Sequence, residues 1–210
     1  METSQFFAAG LHILTYFLYP TPMRLFVAVS LPEEIKEKIG DVLRDLTGIA
    51  RLAEADVKWV KLEQIHFTVK FLGDCAEDQI PLITRALESA IQGLSRFMVS
   101  LGGLGYFPEK GLLRIIWLGL LEGEASLKEL ANRVEASCEP LGFPKEDRIF
   151  NAHLTLGRVK SIRNVDKIRS LLDRQSKASV GAFTINSIAL IRSVLSPAGP
   201  TYTLLQTLEW

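Results

Sequence analysis

Two short stretches decide the fold of this chain: IHFTVKFLG at residues 65–73 and AHLTLGRV at residues 152–159. Each is an apolar run interrupted by a histidine and, two residues later, by a threonine. The four interrupting residues are His66, Thr68, His153 and Thr155. The chain contains only three histidines, and composition places a threonine two residues after a given histidine in roughly 5% of cases. Chance is therefore a poor explanation for the pair.

The two stretches occupy matching positions in a longer internal repeat. Phe26 precedes His66 by 40 residues, and Ile116 precedes His153 by 37 residues. Around both motifs, β-branched apolar runs alternate with amphipathic segments in the order strand, helix, strand, helix, strand. A repeat of this length that occurs only twice indicates duplicated lobes rather than a solenoid.

This order predicts an α+β fold of two pseudo-symmetric lobes. Each lobe is expected to be an antiparallel sheet with helices packed on its outer face, and the active-site cleft lies between the sheets. A doubly wound parallel sheet is disfavoured, because SLPEE follows the first strand where a glycine-rich phosphate loop would stand. Residues 181–195 read as one closing strand, and the last strand is expected to form a hairpin with residues 187–195.

The length of 210 residues suits a single bilobal domain, which we predict over residues 23–210. MRLFVAV begins a clean strand at Met23, so residues 1–22 are interpreted as an N-terminal extension upstream of the natural start. His12 lies in that extension and receives no chemical role.

Charge and cysteine content limit the classes of function. Lys+Arg equals Asp+Glu at 24 each, so no global field recruits nucleic acid or a membrane. Residues 142–180 nevertheless carry nine basic against four acidic side chains, a local excess that favours an anionic ligand. No run is long enough to span a membrane. Cys75 and Cys138 form no disulfide framework, which fits a reducing, cytoplasmic location.

Strand alternation places each histidine and its threonine on one face, with Phe67 and Leu154 pointing into the core. A lone histidine in an apolar strand is more often structural than catalytic, but the matched pair reverses that expectation. Zinc binding is weakly supported because no third ligand accompanies either motif. A nucleophilic triad is also weakly supported, and Cys75 is interpreted as a small loop or core residue.

Two imidazoles and two hydroxyls suit in-line displacement at phosphorus. One imidazole takes a proton from the attacking oxygen and the other protonates the leaving oxygen, because both titrate near neutrality. The threonine hydroxyls can donate to the non-bridging phosphate oxygens, where charge accumulates. No metal and no cofactor is required.

These motifs, together with MRLFVAV upstream, resemble the paired H-x-T-x motifs of the two-histidine phosphoesterase superfamily. The similarity extends to the RNA 2′,3′-cyclic phosphodiesterases, also called 2′-5′ RNA ligases, and runs from Met23 to the C-terminus. It implies hydrolysis of a 2′,3′-cyclic phosphate to a 2′-phosphate. It further implies that His66 is the proton donor and His153 the proton acceptor, and that Thr68 and Thr155 hold the phosphate.

Three further residues are predicted to bind substrate. Arg158 matches an arginine position of the family, although strict alternation would aim it away from His153 unless Gly157 permits a bulge. Lys70 has the parity of the cleft face. Phe107, with Tyr106 in the loop GGLGYFP, is a candidate for stacking on a base.

The expected partner is RNA with a 2′,3′-cyclic phosphate end, tRNA fragments being one candidate, bound by a monomer. Two alternatives remain open at the level of sequence. One is a phosphodiesterase acting on small cyclic nucleotides, and the other is a module that binds RNA ends without turnover. The reverse reaction, 2′-5′ ligation, is implied by the family name and by microscopic reversibility.

Overall fold

The computed structural model describes residues 23–146, 150–174, 179–197 and 199–210. The extension expected over residues 1–22 lies outside these ranges. The described strands are β1 (Met23–Ser30), β2 (Ala55–Trp59), β3 (His66–Cys75), β4 (Phe97–Phe107), β5 (Ile115–Glu122), β6 (Leu154–Ile162), β7 (Ser179–Ile185), β8 (Ser187–Ser196) and β9 (Gly199–Glu209). The described helices are α1 (Glu33–Leu52), α2 (Ile80–Ile91), α3 (Glu124–Cys138) and α4 (Val165–Asp173).

The strands form two antiparallel sheets. Sheet A has the order β3-β1-β8-β9, and sheet B has the order β2-β6-β5-β4-β7. Helices α2 and α3 pack together and against β9 and β3, whereas α1 and α4 pack against β2, β7 and β4. The predicted α+β fold of two antiparallel lobes with helices outside is therefore confirmed.

The two sheets are not built from the two halves of the chain. Strands β2 and β4, from the first half of the chain, belong to sheet B. Strands β8 and β9, from the second half, belong to sheet A. The single closing strand expected over residues 181–195 is wrong, because it divides at Asn186 between β7 in one sheet and β8 in the other. The strand-forming residues on both sides of Asn186 read as one run, and long-range pairing divides it. The expected hairpin of β8 with β9 is confirmed.

The core lies between each sheet and its own helices. Along β1, Leu25 and Val27 belong to the main core, while Phe26 and Ala28 form a small separate cluster on the opposite face. That separate cluster identifies the second face of sheet A as the cleft face. The described helices include none with the length and apolar composition to cross a bilayer.

Candidate active site

The two motif strands have the same pattern of burial. Residues 66–71 and 153–158 both read half-buried, buried, half-buried, buried, buried, exposed. The first four positions show the alternation expected of a strand with one face in the core. The pair of consecutive buried residues then breaks the alternation at the same place in each copy.

That break is a β-bulge directly after each threonine. In β3 the register with β1 shifts between Thr68 and Lys70, which leaves Val69 as the extra residue. In β6 the register with β5 shifts between Thr155 and Gly157. A bulge reverses the parity of the residues that follow it. The second residue after each threonine therefore faces the core, and the third faces the cleft.

The bulge corrects the prediction for Lys70. This side chain is 2% exposed, and its Nζ donates to Glu135 Oε2 at 2.6 Å and to the Pro144 carbonyl oxygen at 2.9 Å. The expectation that Lys70 faces the cleft is wrong because strict alternation was assumed across Val69. Lys70 contributes to a buried ion pair beneath the sheet rather than to substrate binding.

The corresponding bulge in β6 turns the Arg158 side chain toward the cleft face, as predicted. The predicted bulge at Gly157 is present, and the Arg158 side chain is exposed on the cleft face. Gly157 is required there because a Cβ atom would lie 2.7 Å from the Trp59 ring. Arg158 also lies close enough to Tyr202, in sheet A, for its charge to oppose the rise in the pKa of that phenol that burial causes.

The ring of His66 is anchored and partly enclosed by aromatic side chains. Its Nδ1 lies 2.7 Å from the Gln64 carbonyl oxygen, which can only accept, so Nδ1 carries a proton and Nε2 is the ring nitrogen left available for proton transfer. Phe26 stacks on the ring at 4.9 Å between centroids, and Tyr202 meets it edge-on at 5.4 Å. Burial lowers the pKa of His66, and the hydrogen bond to Gln64 opposes part of that shift.

The ring of His153 is held in the same way on sheet B. Its Nδ1 lies 2.8 Å from the Asn151 carbonyl oxygen, again two residues earlier in the chain. Phe107 meets the ring edge-on at 5.3 Å between centroids, and Trp117 does so at 6.4 Å. Both histidines therefore have the same tautomer, with Nε2 left for chemistry.

The cleft faces of the two sheets are directed toward each other. Strands β3 and β6, which carry the two motifs, are in contact. Beside them, Gln64 Nε2 donates to the Pro200 carbonyl oxygen of β9 at 2.7 Å, and Arg158 reaches the surroundings of Tyr202. The two motif strands therefore lie against each other, and Arg158 of the second lies near Tyr202, which packs on His66 of the first.

Comparison with known proteins agrees with this duplicated site. The family described as LigT like Phosphoesterase matches residues 29–117 and 120–202, so each match contains one motif. This chain belongs to the LigT-like phosphoesterase family. The predicted membership of the two-histidine phosphoesterases is confirmed, and the protein is a phosphoesterase by family.

Relatives of this LigT-like phosphoesterase cover nearly the whole described chain. A protein of Archaeoglobus fulgidus named RNA 2′,3′-cyclic phosphodiesterase is 36% identical over 89% of this chain and 100% of its own length. A protein of the same name from Methanothermobacter thermautotrophicus is 34% identical over 86% of this chain and 95% of its own. The crystal structure of TT0787 of Thermus thermophilus superposes with a TM-score of 0.70 at 32% identity, covering 89% of this chain and 97% of that one.

Only one of the two aromatic candidates of this LigT-like phosphoesterase faces the cleft. Phe107 contacts His153. Tyr106, one residue earlier, lies under the Arg169 guanidinium at 5.5 Å from the ring centroid. Burial and the nearby Asp173 carboxylate raise the pKa of Tyr106, and the Arg169 charge opposes them. Tyr106 therefore packs against α4 on the far side of sheet B.

The cysteines have no part in the cleft. Cys75 is fully buried at the end of β3, and its Sγ donates to the Gly73 carbonyl oxygen at 3.5 Å. Burial is the main cause that raises the pKa of Cys75 to about 11, and it raises that of Cys138 to about 11 as well. A thiol in this state is a poor nucleophile at neutral pH. Within the described residues, no group of three His, Cys, Asp or Glu side chains could hold a metal ion.

Sequence reasoning missed the aromatic side chains that enclose the histidines. Phe26, Tyr202 and Trp117 lie on strands far from the motifs in the chain, and each contacts a histidine ring. Phe71 lies beside Phe26 and is 61% exposed. Strand parity, once corrected for the two bulges, is the signal that places these side chains on the cleft face.

Proposed function

We propose that the protein hydrolyses 2′,3′-cyclic phosphate ends of RNA to 2′-phosphates by acid–base catalysis between His66 and His153. The observation that carries the proposal is the matched pair of Nδ1-anchored imidazoles on two contacting strands of equivalent geometry. The relatives named RNA 2′,3′-cyclic phosphodiesterase support the choice of substrate.

The reaction needs one proton moved on each side of the phosphorus. His153 Nε2 takes a proton from water as the water oxygen forms its bond to phosphorus. The bond from phosphorus to the 3′-oxygen breaks, and His66 Nε2 protonates that oxygen. The product is a 2′-phosphate with a free 3′-hydroxyl. Exchange of one proton between the histidines and solvent restores the starting state, and the residues of the chain supply every proton transfer without a cofactor or metal.

Burial disfavours the protonated form of His66, so the negative charge of the substrate is needed to favour it. Its pKa is lowered in the free protein, yet a general acid must be protonated. A cyclic phosphate carries one negative charge, and an anion beside an imidazole favours the charged form. Binding of substrate therefore prepares His66 to act as the acid.

The side chains around the reacting phosphate have separate tasks in this proposal. Thr68 and Thr155 donate hydrogen bonds to the non-bridging oxygens as charge develops there. Arg158 supplies a cation at the edge of the same cleft. Phe107 offers an aromatic surface beside His153, and base stacking on such a surface contributes about 1–3 kcal/mol.

The same site is expected to join RNA ends as well. If a 5′-hydroxyl of a second RNA replaces water beside His153, the corresponding displacement joins the ends through a 2′-5′ bond. In this displacement His153 again takes the proton from the attacking hydroxyl and His66 again protonates the 3′-oxygen, and the histidines exchange roles only when the 2′-5′ bond is cleaved back to the cyclic phosphate. The proposed partner is thus RNA, with tRNA fragments included. We place the catalytic unit within residues 23–210 as a monomer in the cytoplasm, where free cysteines are compatible with reducing conditions.

One experiment tests the enzyme against the alternatives. An oligonucleotide with a 2′,3′-cyclic phosphate end is incubated with the protein in excess EDTA, and the product is identified as the 2′- or 3′-phosphate. We expect complete conversion to the 2′-phosphate. Binding without conversion would support an RNA-end binding module, and loss of activity in EDTA would require a metal.

The small-molecule alternative is tested with a second substrate. A nucleoside 2′,3′-cyclic phosphate presents the same reacting group without the rest of the RNA. The proposal predicts a higher kcat/KM for the oligonucleotide. A higher kcat/KM for the mononucleotide would favour a phosphodiesterase of small cyclic nucleotides.

A further inference from the structure

A row of four side chains crosses the cleft face of sheet B just beyond the bulge of β6. The register pairs Phe107 with Ile115, Ile115 with Arg158, and Arg158 with Lys58. Residues paired directly across antiparallel strands point to the same face, about 5 Å apart. Lys58, in the edge strand β2, therefore stands beside Arg158 on the cleft face.

This arrangement places the positive charges of Lys58 and Arg158 side by side. Like charges directly opposite in a sheet destabilise it. Within residues 23–146, 150–174, 179–197 and 199–210, neither Lys58 nor Arg158 has a carboxylate oxygen within 4.0 Å. The nearby Lys160 differs, because it reaches Asp56 at 4.0 Å. The Lys58–Arg158 pair is thus a site of concentrated positive charge that an anion would relieve.

The pair lies between the histidines and the outer edge of the cleft. Arg158 acts on Tyr202, whose ring is 5.4 Å from that of His66. Lys58, on the edge strand, extends to the beginning of β9, where a Cβ atom built at Gly199 would lie 3.5 Å from its Nζ. Gly199 begins β9 at the turn after β8. Lys58 is consequently the more distant of the two cations from the reacting phosphate.

We propose that Lys58, together with Arg158, binds a second phosphate of the substrate. The ligand is the phosphodiester that joins the terminal nucleotide to the rest of the RNA. Along β5, the row containing Arg158 is two residues from the row containing Thr155, or about 7 Å. A group bound there lies beyond the cyclic phosphate held by the threonines. This inference rests on the proposed function and makes Lys58 the residue that favours oligonucleotides over mononucleotides.

Lys58→Ala provides the test, with two substrates of which only one has a 5′ nucleotide joined through an internucleotide phosphate. These are a nucleoside 2′,3′-cyclic phosphate and a dinucleotide ending in the same cyclic phosphate. We expect KM for the dinucleotide to rise about tenfold, the effect of losing one charge-assisted hydrogen bond. We expect KM for the mononucleotide to change less than about twofold and kcat on the dinucleotide to be retained.

Two variants act as controls for this test. Lys58→Arg keeps the charge and should restore most of the affinity for the dinucleotide. Lys128→Ala removes an exposed lysine on α3, outside the cleft, and should leave both KM values unchanged. In addition, the slope of log affinity against log salt for the dinucleotide should fall by about 0.7 in Lys58→Ala, the value for one phosphate contact on a single strand.

The outcomes separate this inference from the proposed function. Equal losses on both substrates would place Lys58 at the reacting phosphate and overturn the second subsite, as would no loss on either. If the wild-type protein turned over neither substrate, the proposed function would fail. Competition titrations with the 2′-phosphorylated nucleoside and dinucleotide then test the subsite without catalysis, and equal effects of Lys58→Ala on both would overturn it.

Discussion

Sheet A and sheet B each present one row of side chains to the cleft just beyond the bulge of their motif strand. In sheet A the row is apolar across all four strands, and its members are Phe71, Phe26, Ile191 and Leu204. In sheet B the corresponding row is half cationic, and its members are Lys58, Arg158, Ile115 and Phe107. The two sheets thus share a backbone plan around their motif strands and differ in the chemistry of their walls.

In the proposed mechanism, this difference accounts for the separate tasks of two equivalent histidines. The apolar wall encloses His66, and this desolvation lowers its pKa. In the proposed mechanism, the mixed wall beside His153 places two cations near the phosphate and an aromatic ring near the attacking water. Duplication supplies two identical imidazole–hydroxyl units, while an acid and a base need different surroundings. The walls provide that difference.

The largest effect is expected from the histidines themselves. His66→Ala and His153→Ala should each lower kcat/KM on a cyclic-ended oligonucleotide by about 10²–10⁴-fold. An aryl phosphodiester with a nitrophenolate leaving group needs no general acid, so His66→Ala should recover most activity on it and His153→Ala should not. The opposite pattern would reverse the assigned roles. Affinity for the 2′-phosphate product serves as the control for an intact site.

The second prediction concerns Lys70, which occupies in β3 the position of Gly157 in β6. Lys70→Ala leaves the Glu135 carboxylate, 15% exposed, without its cation, and should lower the free energy of unfolding in urea by about 3 kcal/mol. Arg24→Ala breaks the exposed pair with Asp74 and should cost less than about 1 kcal/mol. If the Lys70→Ala protein were as stable as the wild type but inactive, the result would contradict the structural role and would support a role of Lys70 in substrate binding.

A smaller loss is expected from the two hydroxyls. Thr68→Val and Thr155→Val keep the shape of the side chain and remove the donor, so kcat should fall about 10²-fold in each. Thr→Ser at the same positions should stay near wild type. Because the two strands have equivalent geometry, the two losses should agree within a few-fold. A loss at only one position would show that the phosphate oxygens are held asymmetrically.

The smallest effect is a displacement of the pH profile. The acid must be protonated, so kcat/KM falls as pH rises through the pKa of His66, which burial has lowered. Tyr202→Ala admits water to the His66 ring and so raises the pKa of His66. The pH at which kcat/KM falls should then increase by about half a pH unit. Phe107→Ala acts beside His153 and should leave the limb in place. No shift, or a downward one, in Tyr202→Ala would contradict the role of burial.

The outcomes for Arg158 and Lys70 show how far strand parity can be trusted. Both predictions depended on whether a bulge follows the motif threonine. For Arg158, Gly157 signalled the irregularity, and the bulge is present. For Lys70, no glycine follows Thr68, yet the register shifts at Val69 in the same way. The internal repeat was the missing signal, because a bulge inferred in one copy predicts a bulge in the other.

Lys58 and Tyr202 illustrate what a motif search does not reach. Lys58 is remote in the chain from Arg158, with which it pairs, and Tyr202 is remote from His66, which it contacts. Neither has a neighbour in the chain that marks it. Their positions follow from the pairing of β2 with β6 and of β9 with β8. Such pairings join segments that are far apart in the chain, so local pattern carries no trace of them.

Local pattern alone was sufficient for the strand character of both motifs, the duplication and the identity of the four polar residues. Side-chain alternation and composition are properties of neighbouring residues, and they can be read without knowing the rest of the fold. The exchange of strands between the lobes, the burial of Lys70 and the contrasting cleft walls arose only when distant strands paired. Those features depend on register, and register is set by contacts between segments that the chain brings together only on folding.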